Sequence, residues 1–331
     1  MERFINIDFK KNSFTVLRYI AAFQVIIGHL TNHFNLNLPS NIIFLFLGVP
    51  IFFCLSGFLI AASLDRNNDF KTYLYKRYKR IYPELWVGVA INSLIILALN
   101  PSILSHIGFW LFNLTQGTLF QFWTPSILRY YGVGVPNGSL WTISIFVQFY
   151  IIIYFIYPKL LKLNFKRQII LLILFMLPNL VFVYLEPYIP QIIYKLFKQT
   201  IILYFYIFYI GILIYIYRNK IIPLLIKYFY LLLIIYIIYT FNFKLPSVYI
   251  DVIRSLLLCL LTIGFGYKFN KLNLNLDISF GMYIYHMIFI NLFIELGFHK
   301  NLISSFFVIL LSIVCAYFSH KLVYRKKRRK V

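Results

Sequence analysis

Apolar runs close to the length of a bilayer crossing recur along the whole chain; Ile42–Ile60, Ile201–Tyr217 and Leu302–Val323 are three of them. About 20 apolar residues in a helix span the ~30 Å hydrocarbon layer. Inside lipid a helix satisfies its own backbone polar groups, which is why helices cross bilayers. The recurrence therefore points to an all-α polytopic membrane protein. Composition agrees: 61% of the 331 residues are hydrophobic and 12% charged, against about 45–50% and about 25% in soluble domains. No polar linker, repeat or low-complexity stretch divides the chain, so a single membrane domain over 1–331 is expected. The first apolar segment carries Arg18 and His29 and has no cleavage site, so it reads as a transmembrane helix rather than a leader. Cys54, Cys259 and Cys315 lie inside apolar stretches without metal-ligand spacing and read as small core residues.

Eleven apolar segments stand out, and the positive charges between them decide how many cross. With all eleven spanning, the cluster Lys159, Lys162, Lys166 and Arg167 and the basic tail both fall outside, against the positive-inside bias. The segment near 104–122 is broken by His106, Asn113, Gln116 and two glycines. Letting it lie in the interface or re-enter places 24 of the 32 Lys and Arg on the cytoplasmic side and 5 outside. About ten transmembrane helices with both termini cytoplasmic are expected. The net charge of +23 is then membrane topology, and the tail 324–331 is an anchor to anionic lipids rather than a nucleic-acid site. The stretch from Asn100 to Ser139, rich in Trp, Gly and Pro, is expected to fold back as a lid over a cavity open to the outside.

Ionisable side chains inside spans cost about 2.5–3.5 kcal/mol on insertion scales and so need a reason. Arg18 and His29 are eleven residues apart, which puts them on one helical face about 16 Å apart along the axis. That arrangement suits a cavity into which an anionic reagent comes from the cytoplasm and reacts deeper in; snorkelling of Arg18 and a hydrogen-bonded interior His29 are the plainer readings. Gly48-Val-Pro followed by Ser56-Gly57-Phe58 allows close backbone approach, either of a neighbouring helix or of a ligand. Arg77 and Arg80 share a face if helical and make a phosphate clamp at the cytoplasmic surface, unless they serve only topology. The nine acidic residues offer no catalytic pair, with Glu84 assigned to the start of a helix, and no metal site is expected.

Five strings, LRYIAAFQVIIGH (17–29), FFCLSGFLI (52–60), RYKRIYP (77–83), NGSLWTISIFVQFY (137–150) and ISFGMYIYH (278–286), together resemble the acyltransferase-3 family of membrane O-acyltransferases. The resemblance runs from Leu17 to about His286 and includes the family's spacing of Arg18 and His29. It implies transfer of an acyl group, usually acetyl, from cytoplasmic acyl-coenzyme A (acyl-CoA, acetyl-CoA as co-substrate, no bound cofactor) to a hydroxyl of a cell-envelope polysaccharide or lipid-linked sugar. His29 is then general base or transient acyl carrier. Arg77, Arg80 and Arg18 hold the donor's phosphates, Ser56, Gly57 and Phe58 shape the acyl channel, and Trp141 and His286 position acceptor or acyl group. One position departs from the family pattern: the Glu commonly found five residues after the Trp is Phe146 here. That departure leaves an exporter or flippase of saccharide, or an inactive relative, as the alternative.

Overall fold

A computed structural model describes residues 8–243, 251–272 and 274–324. Arg3, Lys244 and the basic tail 325–331 lie outside the described residues. The described chain is helical, with fourteen α-helices joined by short 3-10 turns and loops. In order they are α1 Phe14–His33, α2 Ser40–Ile43, α3 Gly48–Arg66, α4 Phe70–Leu99, α5 Ile107–Gln116, α6 Trp141–Leu160, α7 Phe165–Leu185, α8 Gln191–Phe197, α9 Phe205–Ile216, α10 Arg218–Lys227, α11 Phe229–Asn242, α12 Val252–Lys268, α13 Ser279–Glu295 and α14 Leu302–Tyr324.

Among the described residues, six segments are long and apolar enough to cross a membrane: α1, the stretch Ser40–Arg66, α4, Gly138–Leu160, Phe165–Phe182 and α14. The number is seven if α9 and α10, bent by 101° at Tyr217, form one broken span. The difference from the ten read from sequence falls on short helices: α9 has 12 residues, α11 has 14, and α12 and α13 have 17 each. The apolar run read as 222–241 breaks at Tyr228 into α10 and α11. The segment 104–122 contributes only the ten-residue α5, about 15 Å long and too short to cross. A correction concerns α4. It begins at Phe70, not near residue 82, and continues through Pro83, so Glu84 sits in mid-helix and is 3% exposed.

The helices form two compact units, 1–21 with 45–73 and 148–275, and 22–44 with 74–147 and 276–331. In the first, α9 is buried along Phe205–Tyr215 and packs on α3. Glycines make that approach possible: a Cβ on Gly57 would run into the Phe208 carbonyl oxygen, and one on Gly211 into the Cys54 carbonyl oxygen. Small residues at helix contacts are the usual means of close packing in lipid. Aromatic rings complete this core, with Phe58 edge-on to Phe14 at 5.6 Å and to Tyr215 at 5.3 Å. Asp251 caps α12 by accepting from the Arg254 backbone N–H, and the guanidinium of buried Arg254 donates to the Leu45 carbonyl at 3.2 Å.

In the second unit α13 packs on α14 and α4, again through glycines. Gly281 lets Glu84 and Ala316 close in, and Gly88 lets Ile284 approach α4. Replacing Gly57 or Gly211 by Val should force the α3–α9 pair apart at a cost of about 1–3 kcal/mol or more. Thermal unfolding in detergent checks this: a clearly lowered midpoint or loss of monodisperse protein is expected, and an unchanged midpoint would contradict the packing.

Candidate functional site

The polar residues of the second unit converge along one side of α13. His286 lies in the middle of this helix and is fully buried. Its Nε2 is 3.2 Å from Nδ1 of His29 on α1, and the two rings lie 5.0 Å apart. Met287 Sδ is 2.8 Å from the same His29 nitrogen. His33, one turn on, presents its ring edge-on to His29 at 5.7 Å. His29 is half-buried, so of the two paired imidazoles it is the one that can be reached.

The geometry distinguishes the nitrogens of His29. The 3.2 Å contact between its Nδ1 and His286 Nε2 admits a hydrogen bond with either ring as donor. When His29 is the donor, its own Nε2 keeps a free lone pair, as a general base or nucleophile requires. His286 then acts as the group that fixes the tautomer and ring orientation of His29.

The loop before α6 reaches the same stretch of α13. Asn137 donates to the Ile284 carbonyl at 2.9 Å and accepts from the Ser139 hydroxyl at 2.7 Å. Tyr283 donates to the Ser139 carbonyl at 2.8 Å and meets the Thr142 hydroxyl at 2.9 Å. Farther along α13, fully buried Asn291 donates to the carbonyls of Val135 and Pro136 and accepts from Val133 N–H, while Glu295 accepts from Gly132 N–H at 2.6 Å. Gly132 has φ +56°, and a Cβ there would overlap Asn291, so a side chain is excluded on both counts. The long loop is thus pinned to the helix that carries His286.

At the other end of α13, Arg80 on α4 pairs with Asp277 at 2.8 Å. Arg77 lies one turn before it on the same helix and is half-buried. Glu84, one turn after, accepts from the Ser319 hydroxyl of α14 at 3.1 Å.

Of the residues singled out from sequence, His29, His286, Trp141, Arg77 and Arg80 all belong to this unit, and the first two are in contact. Trp141 is half-buried at the first turn of α6, beside Thr142 of the Tyr283 network. Phe146 is half-buried one turn farther along α6. Arg18, Ser56, Gly57 and Phe58 belong to the first unit. There Gly57 has the Phe208 backbone against it and Phe58 is core. Sequence reading missed Glu84, Asn137, Tyr283 and Asn291. An Asn and a Glu within apolar helices were available signals, while the roles of Tyr283 and Asn137 depend on contacts more than 140 residues away in the chain.

Three of the five strings thus meet in space: His29 and Asn137–Thr142 both pack on Tyr283–Met287. A family model described as an acyltransferase domain matches residues 11–321, nearly the whole chain and both units. The chain belongs to the acyltransferase-3 family. Among curated proteins it is 32% identical over 156 residues to nodulation protein 10 of Rhizobium leguminosarum bv. viciae, covering 43% of this chain and 42% of that one. It is 31% identical over 156 residues to the O-acetyl transferase of Shigella phage Sf6, covering 43% and 45%. It is 28% identical over 145 residues to the peptidoglycan O-acetyltransferase OatA of Listeria monocytogenes, covering 41% and 22%. These matches span less than half the length of each relative. No solved structure matches the chain.

The Tyr283 hydroxyl should be structural as well as local to the site. Tyr283→Phe removes one donor from the Ser139 carbonyl and one partner from Thr142, at a cost of about 1–3 kcal/mol. The thermal midpoint in detergent should fall; a midpoint equal to wild type would remove the network from the account of how the acyltransferase-3 site is built.

Proposed function

We propose that this protein is a membrane-bound O-acyltransferase that moves an acyl group, acetyl by analogy with its relatives, from cytoplasmic acyl-CoA to a hydroxyl of an envelope polysaccharide or lipid-linked sugar. The observation that carries the reading is the His29–His286 contact at 3.2 Å. Membership of an acyltransferase family and relatives named as O-acetyltransferases support it.

His29 does the chemistry. In the direct route its Nε2 takes the proton of the sugar hydroxyl as that oxygen attacks the thioester carbonyl. The tetrahedral intermediate then expels coenzyme A thiolate, and the proton on His29 is returned to it. In the carrier route Nε2 itself attacks the thioester and expels coenzyme A thiolate, which takes up the imidazole proton; the sugar oxygen then attacks the acyl-imidazole carbonyl, and the released imidazole takes the hydroxyl proton. General base catalysis contributes about 10²–10⁴-fold, and both routes need the tautomer that His286 sets. Arg77 and Arg80 hold the donor's phosphates, and Trp141 lines the acceptor side.

The proposed topology has ten spans, the six long helical segments together with α9, α11, α12 and α13, and both termini in the cytoplasm. Helices of 17 residues meet the lower limit of about 17–25 for a crossing. The shorter α9 is enclosed by other helices, so its length need not match the lipid. With this topology α5 and the loop pinned by Asn291 face outward, above the imidazoles, and the whole forms one acyltransferase domain in the cell membrane. Cysteine at position 166 should label from the cytoplasm and at position 120 from outside; the reverse would overturn the topology.

Phe146, where the family commonly has Glu, favours one second reading: a saccharide exporter or a relative without catalysis. Transfer of radiolabelled acetyl from acetyl-CoA into envelope saccharide separates the two. Wild type should transfer label and His29→Ala, at equal membrane abundance, should lose at least about 100-fold. Full activity in His29→Ala would remove His29 from the mechanism, and no transfer by wild type would favour the second reading.

A further inference from the structure

Asp277 stands at the donor end of the proposed site. Its Oδ2 is 2.8 Å from Nη2 of Arg80, and its Oδ1 accepts from the Ser279 hydroxyl at 2.6 Å and the Ser279 N–H at 3.3 Å. Ser279 is the first residue of α13, and Ile278, which precedes it, provides no side-chain cap. One carboxylate thus serves a cation on α4 and the amide end of α13, where negative charge is favoured. His286 follows on the same helix nine residues after Asp277, about 14 Å along its axis. The flexible pantetheine arm of coenzyme A is suited to a span of that kind. The Arg80 side chain is 40% exposed and Asp277 16%, so the arginine can be reached from solvent while its partner is largely covered.

We propose that Asp277 is a positioning residue for the donor site, restraining Arg80 and thereby setting the affinity for the phosphate groups of acyl-CoA. The inference rests on the reading of Arg80 as a donor-binding residue. A guanidinium has five N–H donors, so a phosphate can share Arg80 without first breaking its contact to Asp277. It must then lie close to the Asp277 carboxylate. The like charges oppose binding. Donor phosphate and Asp277 therefore oppose each other electrostatically at Arg80, and occupancy of the donor site weakens the Arg80–Asp277 pair. Binding at the cytoplasmic end is in this way linked to the helix that positions His29. The linkage works in both directions, as any coupling of two binding equilibria must.

Substitution of Asp277 by Asn separates charge from capping, because the amide oxygen still accepts from Ser279. The measurement is equilibrium binding of coenzyme A to the full-length protein in nanodiscs, with KM and kcat for acetyl-CoA alongside. Asp277→Asn should tighten coenzyme A binding and lower KM by about fivefold, the scale of a partly exposed ion pair. In an Arg80→Ala background the same substitution should change neither. Asp277→Ser, which also keeps a capping oxygen, should behave like Asp277→Asn and guards against one variant folding poorly. If Arg80→Ala weakens coenzyme A binding but neither Asp277 variant tightens it, the positioning role is wrong and the donor reading stands. If Arg80→Ala leaves binding unchanged, the donor reading of Arg80 fails and the proposal falls with it. A lowered thermal midpoint and kcat with unaltered coenzyme A affinity would reduce Asp277 to a helix cap.

Discussion

A polar side chain inside an apolar helix bundle has no water to turn to, and in this protein the pairing of such side chains is organised along one helix. Burying an unpaired polar group costs about 1–3 kcal/mol by protein measurements, and more for a charge. α13 meets that requirement at successive levels. Asp277 takes Arg80 at its start, Tyr283 takes Thr142 and the Ser139 carbonyl, His286 takes His29, and Asn291 and Glu295 take the loop around Val133. Each contact joins α13 to a different segment of the second unit. The helix is therefore both the structural axis of that unit and the element that determines where the imidazoles sit.

The same arrangement gives the chemistry its orientation. A histidine in an apolar helix can rotate or bond to a passing carbonyl. Here His29 is constrained by a fully buried partner whose own position is set by the helices around it. Close approach of those helices depends on Gly281 and Gly88, where any side chain would push Glu84, Ala316 or Ile284 away. Packing and the proposed chemistry are thus linked through a few glycines, and the candidate site is built within the second unit.

Much of this was legible in the residues. The helical class follows from apolar runs near bilayer length, and the segment 104–122 shows its failure to cross through its own polar residues and glycines. His29 and His286 were both chosen, although their contact could not be read, because 257 residues separate them and nothing local records it. Glu84 was misread because Tyr82-Pro83 looks like the start of a helix, whereas α4 carries the proline in its interior. Gly57 was legible as a place of close approach, but a sequence cannot say whether helix or ligand approaches; here the α9 backbone does. The count of spans differs for a similar reason. Charge patterning counts crossings, whereas α9, α11, α12 and α13 are shorter than hydropathy alone suggests; for α11 the reason is the break at Tyr228, which divides the apolar run 222–241.

The central claim is that His29 and His286 act as one unit in acyl transfer. The most direct test is a double-substitution cycle on the initial rate of acyl transfer, using His29→Gln, His286→Gln and both together in membranes of equal protein content. Groups that act as a unit give grossly non-additive losses. The double variant should therefore be no slower than the slower single variant. Losses that multiply would mean that the two imidazoles act independently, and that their contact in the fold is not the basis of the chemistry.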